Sequence, residues 1–253
     1  MPSLVIIPTY NERDNLPVLV RQVLAYPDLH VMVADDGSPD GTGEIADALA
    51  REFPGRVSVL HRTGPRGLGR SYLDAISRAL KGNWTAICQM DADLSHDPQY
   101  LPAMLAALKD HDLVIGSRYL QGVSVVNWPL RRIVLSAFAN RYVRFVTRLR
   151  VNDCTSGYRC WRREALARLP LDSIVSEGYA FLVEMLYDAS RLGCRVTEVP
   201  IVFVERRHGM SKVSSAVLLE SLLIPWRLVL RARRKSQGTR AARPHEANEE
   251  RGP

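Results

Sequence analysis

Short continuous apolar runs alternate along this chain with stretches of helical periodicity. The runs at 3–7, 30–34, 56–60, 84–90 and 112–116 are rich in Val, Ile and Leu, and each gives way to a polar or glycine-bearing segment, as strands do. Between them, 14–25, 42–53, 68–81 and 98–109 repeat apolar residues at helical spacing. In the third of these, Leu68, Tyr72, Ala75, Ile76, Ala79 and Leu80 share one face. Strand and helix in turn predict an α/β fold with a mostly parallel sheet. A chain of 253 residues with 46% hydrophobic content can bury the core of one such domain.

Beyond residue 130 the pattern changes. Val134, Phe138, Tyr142, Phe145 and Leu149 form an apolar helical stripe flanked by arginines. Two readings compete: a basic amphipathic helix lying among lipid headgroups, or a core-packed helix with a wet cationic back. Residues 213–230 are more apolar still, but Glu220 and Pro225 interrupt them. Their charge-free length falls well short of the roughly 20 residues a spanning helix needs. With Trp226 at headgroup level and Arg231, Arg233, Arg234 and Lys235 close behind, the segment reads as interfacial. From Ser236 onward there is almost nothing apolar to bury, which predicts disorder. The expected organisation is a globular domain over 1–212, an interfacial helix over 213–235 and a tail over 236–253.

The net charge of +7 is unevenly spread: +4 of it lies from Arg231 onward. A second basic block has no acid between Asp112 and Asp153, yet holds Arg118, Arg131, Arg132, Arg141, Arg144, Arg148 and Arg150. No nucleic-acid recognition motif accompanies it, and its apolar interleaving favours a lipid surface over nucleic acid. Cys88, Cys154, Cys160 and Cys194 form no CxxC pair, so a disulfide scaffold and a zinc ribbon are both disfavoured and a reducing compartment fits. The chain enters a strand-like run at once, without a basic n-region, which argues against a secretory signal.

Candidate chemistry gathers where strands end. Ligands of open α/β sheets bind at the carboxyl ends of the strands. Pro8-Thr9-Tyr10-Asn11-Glu12 follows the first strand, Asp35 to Gly41 the second and Asp91-Ala92-Asp93 the fourth. In extended chain, residues i and i+2 point the same way, so Asp91 and Asp93 converge. Paired carboxylates completed by substrate phosphates suit Mg²⁺. No GxGxxG follows the first strand, which disfavours a Rossmann dehydrogenase. The loop Gly64-x-x-Gly67-x-Gly69 follows the third strand instead and opens a helix, where amides could face an anion.

PTYNE, DDGSPDG, the GLG loop, MDADLSHDP, GSRY followed by NWP, TSGYR, EGYAF and RRHGMSK occur here in that order. In these motifs, over roughly residues 3–230, the chain resembles the dolichol-phosphate (polyprenol-phosphate) mannosyltransferases, inverting enzymes with the GT-A nucleotide-sugar fold. The resemblance implies transfer of mannose from GDP-mannose to a polyprenyl phosphate. It implies that Pro8, Tyr10, Glu12, Asp36 and the backbone near Ala34 hold the nucleoside. Asp91 and Asp93, around Ala92, would hold Mg²⁺ or Mn²⁺ against the diphosphate. Arg206 and Lys212 match a basic pair that closes over the donor phosphates and, with Asp93, would carry catalysis. Arg118 matches an arginine lining the same site, and with Arg132 and Ser136 it would grip the lipid phosphate. Departures from the family pattern are Ser95 in place of an amide, Leu182 in place of glutamine and Cys154 in place of proline.

An ionised lipid phosphate needs no base, so the chemistry expected of these residues is positioning and charge stabilisation. The alternatives are another nucleotide sugar such as UDP-glucose on the same fold, or a non-catalytic nucleotide-sugar-binding module. The expected location is peripheral, at the cytoplasmic membrane surface, and a membrane-protein partner is compatible with it.

Overall fold

The computed structural model describes residues 2–174, 176, 178, 180–205 and 222–232. The first half of the chain forms β1 (Ser3–Thr9), α1 (Leu16–Leu24), β2 (Leu29–Asp35), α2 (Thr42–Glu52), β3 (Val57–His61), α3 (Leu68–Ala79), β4 (Ala86–Gln89), α4 (Leu101–Ala107) and β5 (Leu113–Ser117). These match the alternation in the sequence, with one turn of 3₁₀ helix at Pro98–Tyr100 leading into α4. The remainder forms β6 (Val125–Val126), α5 (Leu130–Thr147), β7 (Arg159–Arg162), α6 (Arg163–Ala167), α7 (Ala180–Arg191), β8 (Val196–Pro200) and β9 (Phe203–Val204). A last helix, α8, runs over 222–232.

Seven strands make one sheet in the order β3-β2-β1-β4-β7-β5-β8. Only β7 is antiparallel to its neighbours, and β6 and β9 pair separately. Side chains of β1 alternate between two cores, Leu4 and Ile6 on one face and Val5 and Ile7 on the other. A strand buried on both faces must be apolar throughout, which is why these runs are continuous. On the Val5 face lie Leu16, Leu19 and Val20 of α1 with Ala46 and Leu49 of α2. On the Leu4 face lie Tyr72 and Ile76 of α3 with Phe181, Met185 and Leu186 of α7.

Helix α5 shows which way the 130–150 stripe faces. Its buried residues are Asn140, Val143 and Thr147. Leu130, Val134, Phe138 and Phe145 stand outward, Phe145 being 81% exposed. Among the described residues the stripe is therefore exposed, apart from half-buried Tyr142 and from Leu149, which lies past the helix end and is buried.

Helix α8 is less separate than composition suggests. Ile224, Leu228 and Ala232 join the Leu4-face core. Arg231 donates to Glu184 (2.5 Å) and to both oxygens of Asp188 (2.8 Å each) on α7. Leu222, Leu223, Trp226 and Leu230 remain exposed. Residues 222–232 thus pack on the globular domain by one face and leave an apolar face exposed. Among the described residues no helix is long and apolar enough to cross a membrane.

Candidate active site

The chain runs from β1 outward to β2 and β3, then returns to place β4 on the other side of β1. That reversal opens a crevice at the carboxyl ends of β1 and β4. A cavity of about 210 Å³ sits there, lined by Pro8, Thr9, Tyr10, Glu12, Asp36, Leu68, Ser71, Asp91, Ala92 and Asp93. Seven of the sequence-predicted residues, Pro8, Tyr10, Glu12, Asp36, Asp91, Ala92 and Asp93, meet in this one space. Ala34 lies behind it, fully buried, its carbonyl accepting from Ser71 Oγ at 3.3 Å.

The wall is stiff. Asp36 accepts from the Gly67 amide at 2.9 Å and is ion-paired with Arg62, which also donates to Asp74 at 2.8 Å. The Gly67 amide, expected to face an anion, thus faces a carboxylate of the protein. Thr9 Oγ1 and Ser38 Oγ both donate to Asp35 Oδ1, at 3.0 and 2.6 Å, tying the ends of β1 and β2 together. At the mouth, Arg66 donates to Tyr10 Oη at 2.8 Å and lies 4.7 Å from the ring centroid.

Asp91 accepts from Tyr72 Oη at 3.1 Å, and its amide donates to His96 Nδ1 at 3.1 Å. Burial holds the His96 imidazole below its usual range, against the pull of Asp91 and Asp93, so it is neutral and accepts at Nδ1. Asp93 Oδ1 accepts from the Ser95 amide at 3.1 Å and from the Ser95 hydroxyl. Ser95, a departure from the family pattern, here orients the second carboxylate. A Cβ on Gly157 would stand 3.5 and 3.6 Å from the Asp91 oxygens, so the glycine keeps the space beside that carboxylate open. Hard oxygen donors at a strand end with that clearance fit a divalent cation completed by phosphates.

Arg118 is not in this lining. It is buried, chelating Asp153 through Nε and Nη2 at 2.7 Å each, with a further bond to Thr155 Oγ1 at 2.9 Å. Burial would raise the Asp153 carboxyl, but Arg118 and its hydrogen bonds outweigh that and hold it below the usual range. Arg118 and Arg132 meet at Trp128, their guanidinium carbons 5.5 and 4.0 Å from its ring centroid. Arg132 is also paired with Glu205 at 2.6 Å. Ser136 lies one turn along α5 from Arg132, on the same face. The three residues assigned to the lipid phosphate therefore form a second group. It joins the first through rings: Trp128 against Phe203, Phe203 against His96, centroids 5.4 and 5.5 Å apart. Arg206 and Lys212 lie outside the described residues.

Sequence reasoning missed Arg62, Tyr72, His96, Trp128 and Asp153 as parts of the site. The motifs DLSHDP, NWP and the Asp before CTSGYR contain three of them, yet nothing local says which side chain turns inward.

The profile of glycosyl transferase family 2 matches residues 4–169. The polyprenol monophosphomannose synthase of Mycolicibacterium smegmatis is 48% identical over 222 residues, 87% of this chain and 84% of that one. The undecaprenyl-phosphate mannosyltransferase of Micrococcus luteus is 44% identical over 234 residues, 92% and 96% of the two chains. Among solved structures, Mycobacterium tuberculosis glucosyl-3-phosphoglycerate synthase with Mn²⁺ and UDP-glucose superposes with a TM-score of 0.64 at 20% identity, covering 90% of this chain and 78% of that one. At that identity the likeness is one of fold, the GT-A arrangement.

Proposed function

Since this chain belongs to glycosyl transferase family 2, we propose that it transfers mannose from GDP-mannose to a polyprenyl phosphate, with inversion at the sugar. The names of the two relatives support the acceptor class and the sugar. The observation that carries the reading is the meeting of Pro8, Tyr10, Glu12, Asp36, Asp91 and Asp93 around one cavity at the sheet's reversal. Beside it lies a separate group of Arg118, Arg132 and Ser136 at the root of an apolar helix face.

A lipid phosphate oxygen attacks C1 of the mannose as the bond to the diphosphate breaks, and GDP leaves. The nucleophile is already ionised near neutral pH, so no side chain has to take a proton from it. In support of that, His96 Nδ1 is occupied by the Asp91 amide and its ring stacks on Tyr158, with centroids 4.9 Å apart. Asp91 and Asp93 would hold Mg²⁺ or Mn²⁺, which supplies charge to offset that building on the leaving diphosphate. Arg206 and Lys212 are proposed to add to that stabilisation. Asp36, locked by Arg62 and Gly67, and Tyr10, braced by Arg66, give the nucleoside a rigid seat. The outward faces of α5 and α8 are proposed to rest in the headgroup layer of the cytoplasmic membrane surface, bringing the acceptor phosphate to Arg132.

The test is incubation of the purified protein with radiolabelled GDP-mannose, Mg²⁺ or Mn²⁺ and polyprenyl phosphate. Label should enter a solvent-extractable lipid and be released by mild acid. Label from UDP-glucose but not from GDP-mannose would overturn the donor, and no lipid label from any nucleotide sugar would overturn the reaction.

A further inference from the structure

The two arginines of the acceptor group carry counter-charges of different kinds. Arg118 is held by Asp153, whose side chain is 0% exposed and whose amide donates to Glu198 Oε1 at 2.9 Å. A carboxylate so placed cannot give up its cation without being left charged in the interior. Arg132 differs. It stands in the first turn of α5, which holds no acid, and the fold brings it Glu205 from just beyond β9, at 2.6 Å between Nη1 and Oε1. The Glu205 side chain is 32% exposed, so it can turn into water and stay solvated. Its backbone need not follow. The Glu205 amide donates to the Val126 carbonyl at 3.1 Å, and Val126 and Val204 are register partners in the β6–β9 pair. Trp128 keeps the guanidinium in place, its ring centroid 4.0 Å from the Arg132 carbon.

A guanidinium fork takes a carboxylate or a phosphate with the same geometry. A phosphomonoester carries roughly −1.5 to −2 charges at pH 7, against the single charge of a carboxylate, so it can win the cation. We infer that Glu205 is a resident counter-ion that the acceptor phosphate displaces from Arg132, and that it thereby sets the affinity of the site for that phosphate. The inference rests on the reading that Arg132 binds the phosphate of a polyprenyl phosphate. It also bears on product release. Transfer turns the monoester into a diester with one charge, no more than Glu205 itself carries, so the carboxylate retakes Arg132 as the product departs. Glu205 therefore weakens the hold on both lipids, which is the opposite of what a residue that merely aligned Arg132 would do.

The probe is a soluble isoprenyl monophosphate of two isoprene units, titrated into the full-length protein by calorimetry and also used as acceptor. Glu205→Gln should lower its Kd and KM about fivefold, the worth of one partly exposed ion pair. Glu205→Ala, which leaves no side-chain oxygen to meet Arg132, should lower them at least as far. In an Arg132→Ala background the probe should bind weakly and neither change at 205 should matter, since both act through that guanidinium. Constants raised by Gln and raised further by Ala would mean that Glu205 aligns Arg132, and would overturn the inference. Unchanged constants in natively folded Glu205 variants would also overturn it, as would tightening that persists without Arg132. Weaker probe binding in Arg132→Ala beside insensitive Glu205 variants would leave the acceptor reading standing and remove Glu205 from it. A wild type that neither binds the probe nor transfers to polyprenyl phosphate would overturn that reading and the inference with it.

Discussion

At the scale of single residues, two carboxylates and one ion pair carry separable roles. Asp91 and Asp93 both lie on the cavity wall, in the bend that follows β4. Replacing either by asparagine should therefore cut turnover by at least about a hundredfold through lost charge stabilisation at the leaving group. The thermal midpoint should change little, since both residues lie on the wall of a cavity and not in the hydrophobic core. Calorimetric unfolding beside the radiolabel assay checks both halves. Asp153 is the opposite case, a fully buried anion whose partner Arg118 is buried too. Its carboxyl sits below the unfolded value of about 3.9, so its contribution is complete above that pH and fades as pH falls through the lower folded value. Asp153→Asn should cost roughly 3 kcal/mol at pH 7, because it leaves a buried guanidinium without its counter-charge. The gap to the wild type in urea unfolding should narrow steadily below about pH 4. The sequence disclosed Asp91 and Asp93 because they directly follow the apolar run of β4, at a strand's carboxyl end. It could not disclose the Arg118–Asp153 and Arg62–Asp36 pairs. A charged residue read locally is assigned to solvent, and only the tertiary fold brings residues 35 or 26 positions apart into contact.

At the scale of elements, the units up to β5 were legible because β1, β2, β4 and β5 are buried on both faces and each helix on one, so burial writes the period directly. Strand β7 was not. Its four residues include Arg159, fully buried and donating to the carbonyls of Cys154, Ser156 and Leu182, a pattern no hydrophobic count reads as strand. Cys88 and Cys160 likewise turned out to be register partners across β4 and β7, both buried thiols. Helix α5 was legible as a helix, while its facing had two readings until burial chose one. Leu130, Val134 and Phe145, exposed among the described residues, predict where a membrane would act. Leu130→Glu and Phe145→Glu change side chains 74% and 81% exposed, so each should leave stability within about 0.5 kcal/mol. Each should weaken sedimentation with anionic vesicles by roughly tenfold, since a large apolar side chain no longer enters the interface. Vesicle binding that ignores both changes would remove α5 from the membrane surface.

At the scale of the whole molecule, the stretch 213–235 drew its reading from composition, and composition sees hydrophobicity without seeing that a helix has two sides. Helix α8 spends one side on the core through Ile224, Leu228 and Ala232, and the other on solvent through Leu222, Leu223, Trp226 and Leu230. Arg231, read as part of a headgroup-binding cluster, is instead the cation between Glu184 and Asp188. Those carboxylates stand at i and i+4 on α7 and would repel without it. Glu184 in turn accepts from the Ser176 hydroxyl at 2.6 Å, so the end of α8 is tied into the polar contacts of α7. Three truncations and substitutions therefore separate by consequence. Ending the chain after Lys235 should leave thermal stability and activity on detergent-dispersed acceptor within error of the full chain, because the sequence of that stretch holds almost nothing apolar. Ending it after Lys212 should lower the thermal midpoint markedly and abolish transfer, since it opens the core along α7 as well as removing an interfacial face. Arg231→Met keeps the length and the apolar stem but strands two acids, and should cost roughly 2–4 kcal/mol. Vesicle binding by this variant, measured below its midpoint, should be close to that of the wild type, because Trp226 and Leu230 are untouched. A 1–212 fragment as stable as the full chain would return α8 to the role of a detachable membrane anchor.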